Sequence, residues 1–165
     1  MLKGEGIAHK TEAGAVALGL TSPPEVLAAA AKMPTDRFLV EKMITGGVAE
    51  LLVGVTQDPA HGFVLTLAAG GTLTELLQDS VSLLIPASRD SVLQALTRLK
   101  MHQVLTGYRG ADAADIPATL AAVDVIQAYV LANATCVEDV EVNPLICAPT
   151  RAVAADALIR EASHD

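Results

Sequence analysis

The run from Glu50 to Thr56, the polar stretch Gln57-Asp58-Pro59-Ala60-His61-Gly62 and the run from Phe63 to Ala68 read as two strands joined by a tight turn. The strands are apolar and rich in Val and Leu, and Asp, Pro and Gly in the connection are turn formers. So short a connection returns the chain antiparallel, since a parallel pair needs a crossover of about a dozen residues. Upstream, Phe38-Leu39-Val40-Glu41-Lys42-Met43 reads as another strand. Thr45-Gly46-Gly47 follows as a tight connection, so this run and Glu50–Thr56 also resemble a hairpin. Val81 to Ile85, closed by Pro86, is a fourth strand, and the sheet is expected to be antiparallel.

Helices are marked by their starts. Ser22-Pro23-Pro24-Glu25 has the form of an N-cap, a first-turn proline and a glutamate three residues on. The helix is expected to run to about Met33, where Pro34 stops it, after a short strand over Ala15 to Leu20. Leu73 to Leu77 reads as a short helical piece behind the turn Ala69-Gly70-Gly71-Thr72. Ser88 caps a helix with Val92, Leu93, Leu96 and Leu99 at helical spacing, and Met101 to Leu105 adds a further turn. Asp115 begins the longest helix, whose broad apolar face includes Leu120, Val123, Ile126, Val130 and Leu131, and which ends near Asn133. The fold class expected is α+β, an antiparallel sheet with helices packed against it. At 165 residues the chain can bury a substantial core. With 52% hydrophobic and only 2% aromatic residues, that core must be made of Ala, Val and Leu.

Oxygen ligands gather late in the chain. In Val140-Glu141-Val142-Asn143-Pro144-Leu145, strand alternation puts Glu141 and Asn143 on one face. Pro144, having no N–H, is expected to end the ladder or sit at its edge. The run Arg151 to Asp156 then returns with one more carboxylate. An amide oxygen and two carboxylates suit Mg²⁺, which completes its shell with water and phosphate oxygens. The same spacing also suits the solvated face of an antiparallel strand.

The formal charge of −8 and the scarcity of aromatic rings argue against nucleic acid as a partner. No apolar run approaches membrane-spanning length, and no signal-peptide pattern is seen, so the expectation is a cytoplasmic protein without membrane contact. Cys136 and Cys147 form no metal-type cluster and read as reduced thiols. The chain enters its first strand at once, as a segment of a longer protein or a subunit completed by another chain would.

Taken together, Val40-Glu41-Lys42-Met43, Gly47 to Val55, Asp58-Pro59, Gly70-Gly71, Tyr108-Arg109-Gly110 and Glu141 to Leu145 with Asp156-Ala157 resemble the ATP-grasp module of ADP-forming acyl-CoA synthetases. These are relatives of the succinyl-CoA synthetase β subunit. Ala8 to Val16 is similar to the stretch near the start of that module. The resemblance covers about Leu2 to Ile159 and implies one ATP-grasp domain over residues 1–165, lacking most of its N-terminal lobe.

It also implies roles. Lys3 matches a lysine on the nucleotide phosphates. Glu41, Lys42 and Met43 match the segment whose free backbone groups and acidic side chain meet adenine, and Glu50 matches a carboxylate on the ribose hydroxyls. Asn143 and Asp156 match Mg²⁺ ligands, with Glu141 beside them. His9 matches a loop histidine that carries the phosphoryl group between the ATP site and a partner acyl-phosphate and CoA site. One departure is Leu83, where many relatives place an arginine; Arg109 could supply positive charge instead. The implied cofactors are Mg²⁺ and ATP or ADP. The implied partners are CoA-binding and ligase domains on the same chain or another subunit, with a homo-oligomer possible. A nucleotide-binding regulatory module and an inactive remnant are the alternatives.

Overall fold

The computed structural model describes residues 1–7, 10, 13–71 and 78–162. His9 and the helical piece expected over Leu73–Leu77 lie outside the described residues. The chain forms two compact units, Met1–Thr45 and Gly46–Asp165.

In the first unit, β1 (Leu2–Gly4) lies between β2 (Val16–Ala17) and β3 (Phe38–Val40), antiparallel to both. All three residues of β1 are buried. A buried strand must satisfy its peptide groups on both edges. That requirement corrects the hairpin expected between Phe38–Met43 and Glu50–Thr56: Phe38–Val40 serves β1 instead, with Lys3 opposite Leu39. The strand is also shorter than expected, as is β2. Helix α1 (Pro23–Ala30) begins at Ser22, but the Ser22 side chain makes no capping bond. Glu25 Oε2 instead accepts the N–H of Thr21, ahead of the helix, at 2.7 Å. That bond, helped by the Thr21 hydroxyl, holds the Glu25 carboxyl below its ordinary range.

The second unit is built on a six-stranded antiparallel sheet. Its order is β6 (Ser80–Leu84), β5 (Gly62–Ala69), β4 (Ala49–Asp58), β7 (Val137–Ala148), β8 (Arg151–Ala154), with β9 (Ala157–Glu161) also on β7. The β4–β5 hairpin closes as the sequence indicates. Asp58 Oδ1 accepts the Ala60 and His61 N–H groups, and Gly62 takes the left-handed φ of +78°. The His61 ring, bonded to the same oxygen, is the largest cause of a lowered Asp58 pKa.

Helices α2 (Arg89–Arg98) and α4 (Ile116–Ala132) pack on this sheet, and the short α3 (His102–Leu105) packs against α2. Ser88 and Asp115 are the caps the sequence marks: they accept from Ser91 N–H and Ala118 N–H respectively. Leu51, Val53, Val55, Leu65 and Leu67 on β4 and β5 meet Leu96, Leu105, Val123 and Val130 in one aliphatic core. Each fully buried side chain of this size stabilises by roughly 1.5–3 kcal/mol. Gln127, buried among them, clamps Ala87: its Oε1 accepts the Ala87 N–H at 2.8 Å.

Candidate functional site

Strand β7 does not end at Pro144. Between the pairs Leu51↔Leu145 and Val53↔Val142, β4 contributes Leu52 alone while β7 contributes Asn143 and Pro144. This is a β-bulge, which accommodates a residue with no N–H inside a sheet. On the other edge of β7 the returning chain breaks between β8 and β9 at Ala155-Asp156. The Asn143 N–H donates to the Asp156 carbonyl at 3.1 Å, and the Ala155 N–H to the Pro144 carbonyl at 3.0 Å. Bulge and break therefore set Asn143 beside Asp156.

Glu141 and Asn143 do share a face: Asn143 Nδ2 donates to Glu141 Oε1 at 3.4 Å. Asn143 Oδ1 accepts the Gly71 N–H, also at 3.4 Å. Both bonds are long, so these oxygens are only loosely satisfied by protein donors. Among the described residues, no three His, Cys, Asp or Glu side chains converge on a metal position. The donor set is an amide oxygen and two carboxylates. It fits a hard cation that brings water and phosphate oxygens with it, rather than a closed protein cage.

Gly70 and Gly71 bring Glu50 to the same place. The Gly70 N–H donates to the Glu50 carbonyl at 2.8 Å. A Cβ on Gly70 would stand 2.6 Å from the Leu51 carbonyl carbon, so only glycine allows this approach. A Cβ on Gly71, at φ +79°, would stand 2.4 Å from Glu50 Oε2. Gly71 thus touches both Glu50 and Asn143. A contact joining residues 50, 71 and 143 has no local sequence signature beyond the glycine pair itself. Beside Glu50 opens a cleft of about 290 Å³, lined by Gly47, Val48, Ala49, Glu50, Met101 and Val104. A larger hollow of about 380 Å³, against α1 in the first unit, contains none of the candidate site residues.

In the first unit Glu41, just past the end of β3, lies diagonally from Lys3 on β1, and Lys3 Nζ stands 2.9 Å from Glu41 Oε2. Lys3 is buried, and so is that carboxylate oxygen, whose contact is an ion pair rather than a directed hydrogen bond. The Glu41 N–H is not free as expected but donates to the Met1 carbonyl at 2.9 Å. Lys42 and Met43 follow in irregular, exposed backbone. In the second unit, Leu83 packs against the core, as its apolar character requires. Arg109 adopts φ +53° and lies over the exposed Tyr108 ring, 5.2 Å from its centroid.

Comparison with known proteins places the fold in a family. Residues 2–160 match the model of the ATP-grasp domain. A trans-feruloyl-CoA synthase from an unknown prokaryotic organism is 36% identical over 155 residues, 87% of this chain and 22% of that protein. The β subunit of ADP-forming acetate–CoA ligase II from Pyrococcus furiosus is 32% identical over 123 residues, 68% of this chain and 52% of the relative. The chain thus spans from about a fifth to about half of these relatives. Among solved structures, acetyl-coenzyme A synthetase 1 of Ca. Korarchaeum cryptofilum superimposes with a TM-score of 0.84 at 25% identity, over 98% of this chain and 76% of that one. It is in complex with coenzyme A and Mg-AMPPCP, its phosphohistidine segment pointing towards the nucleotide binding site. Among the described residues no helix is long and apolar enough to cross a membrane. By the extent of the domain match and of the structural superposition, the chain belongs to the ATP-grasp domain family and is homologous to the β-subunit-like part of ADP-forming acyl-CoA ligases.

Proposed function

We propose that this chain is the ATP-grasp portion of an ADP-forming acyl-CoA ligase, binding Mg·ATP or Mg·ADP. The complete reaction is acyl-CoA + ADP + phosphate ⇌ carboxylate + CoA + ATP. The observation that carries the reading is the pairing of the Asn143 bulge with the Asp156 break, with Glu141 and Gly71 at its sides. Asn143 and Asp156 would hold Mg²⁺, with Glu141 accepting from Asn143 and orienting its amide. The metal supplies charge neutralisation of the phosphate oxygens.

The chain's own residues do the rest. Glu50 accepts from the ribose hydroxyls, and Lys42 and Met43 offer backbone groups to adenine. Lys3 directs its ammonium to the phosphates, in exchange for part of its pairing with Glu41. His9 attacks the γ-phosphorus through a ring nitrogen; a P–N bond forms as the P–O bond to ADP breaks. The phosphoryl group then passes to CoA-binding and ligase domains on the same protein or another subunit. Similarity to the synthetase with a phosphohistidine segment supports the role of His9. A cytoplasmic setting is part of this proposal, and the free thiols of Cys136 and Cys147 suit it.

Calorimetric titration with Mg·ATP tests the reading against an Asn143→Ala/Asp156→Ala variant. Saturable binding that weakens by more than about tenfold in the variant is expected, since each 1.4 kcal/mol of lost contact is tenfold. Equal binding by both proteins would remove the metal assignment. Absence of binding by the unaltered chain would remove nucleotide binding as its function.

A further inference from the structure

The second unit contains a buried carboxylate outside the nucleotide and metal assignments. Asp79 lies at the start of β6 and is 8% exposed. Its two oxygens are divided between consecutive peptides: Oδ1 accepts the Lys100 N–H at 2.9 Å and Oδ2 the Met101 N–H at 2.8 Å. Two such bonds to one carboxylate are charge-assisted and fix its orientation. Through its main chain the same residue accepts the Ala69 N–H at 3.0 Å. Ala69 precedes Gly70, whose N–H bonds the Glu50 carbonyl, and Gly70 precedes Gly71, which rests against the Glu50 carboxylate.

Asp79 is therefore tied to one wall of the cleft directly and to Glu50, which lines it, through the backbone next to Glu50. Glu50 is reached through Ala69 and the glycine pair on which it rests. The wall is Met101, which lines the cleft together with Val104. The two segments are about thirty residues apart, and Asp79 bonds Ala69 next to the glycine pair in one and Lys100 and Met101 in the other, all within 3.0 Å. A neutral amide in place of the carboxylate would offer one acceptor and face the other N–H with a donor.

We infer that Asp79 is a positioning residue for the Glu50 cleft, holding the Gly70-Gly71 ledge and the Met101 wall at the spacing that admits the nucleoside part of a nucleotide. Residue 79 acts through Glu50 and Met101 and does not itself meet the ligand. The ligand class rests on the nucleotide reading above; the mechanical link does not. Met101 and Val104 give the cleft an apolar wall, and Glu50 gives it an acceptor for hydroxyls. That combination suits a sugar with a flat ring better than a free anion.

The test is Asp79→Asn in the full chain, read two ways. Amide hydrogen exchange without nucleotide is expected to speed up at both Met101 and Gly70 by roughly tenfold or more, while Val53 and Val55 in the core keep their protection. Titration with Mg·ATP is expected to show affinity falling by a similar factor, with the unfolding midpoint of the core reported alongside. Faster exchange at Met101 with Gly70 unchanged would overturn the inference, because the carboxylate would then serve the α2–α3 junction alone. So would unaltered Mg·ATP affinity in a variant with both amides loosened. If the unaltered chain binds no Mg·ATP, the nucleotide reading fails, and the paired exchange still decides whether Asp79 links the two segments. Should Asp79→Asn not fold, Asp79→Glu keeps two acceptor oxygens on a longer arm. The same paired change is then expected, and an unpaired one refutes the link.

Discussion

Replacing Gly71 by Ala separates a backbone effect from a site effect within one protein. Gly71 adopts φ +79°, and an added Cβ would stand 2.4 Å from Glu50 Oε2 and 3.5 Å from its Cδ. A left-handed φ costs an L residue roughly 1–2 kcal/mol. Restriction of the unfolded chain returns about 0.4–1 kcal/mol, so the net loss of stability is about 1 kcal/mol. The Cβ contact adds little to that figure, because the atom it meets is the far end of a flexible side chain that can swing aside. The swing is what matters: it withdraws the Glu50 carboxylate from Gly71 and from the cleft. Gly62→Ala is the matched control, since Gly62 has φ +78° and open space where its Cβ would lie. Urea unfolding should find both variants destabilised by a similar ~1 kcal/mol, or roughly 2–4 °C in Tm for a chain of this size. Calorimetry should find Mg·ATP affinity reduced about tenfold or more in Gly71→Ala and unchanged in Gly62→Ala, the loss of one well-placed polar contact. Equal affinity in the two variants would refute the argument that Glu50, placed by Gly71, belongs to the nucleotide site.

Further outcomes follow from burial. Leu67→Ala, at a position with no exposed surface between Val53 and Val81, should cost about 2–5 kcal/mol in urea unfolding; a loss below about 1 kcal/mol would mean that the sheet repacks around the gap. Burial raises the Cys147 thiol pKa above its ordinary value, against a smaller opposite effect of the Thr119 hydroxyl. Alkylation should therefore reach half-buried Cys136 first and Cys147 only on unfolding. Because the folded pKa is the higher one, the Cys147 contribution is full below the unfolded thiol's pKa and is lost as pH rises through the folded value. Cys147→Ala should flatten that alkaline decline; an unchanged slope would assign it to other groups.

The parts of the fold that could be read from the chain are those decided locally. Asp58 and Gly62 announce the β4–β5 hairpin, Ser88 and Asp115 the starts of α2 and α4, and strand alternation the shared face of Glu141 and Asn143. Distant partners decide the parts that could not. Phe38–Val40 has the composition of a hairpin arm, yet it pairs with three residues at the other end of its unit because β1 is buried on both edges. Ser22 has the right place and chemistry for a cap, and Glu25 bonds Thr21 instead. At the site, the residue types were legible and their meeting was not. No spacing rule links Glu50 to Gly71 or Asp79 to Met101, because each contact depends on how two elements come to rest. The ion pair of Lys3 with Glu41 is of the same kind: a diagonal from β1 to the residue just past β3, two strands whose pairing was itself unforeseen.

The bulge at Asn143-Pro144 also changes the parity of β7. Next to it on one side the buried residues are even-numbered, Val140 and Val142, and on the other odd-numbered, Leu145 and Cys147, while Val137 and Ala148 at the two ends of the strand are buried outside this pattern. A strand that alternates without interruption could bury one of these pairs and would turn the other to the opposite side. The extra residue lets a single strand line the core along both of its halves, and Asn143 lies on the seam. Shortening the strand by one residue there would force half of its apolar side chains outward. Many substitutions at Pro144 would leave that count intact. What the seam requires is a length, and a deletion at the edge of the site would strike the core before it struck the chemistry.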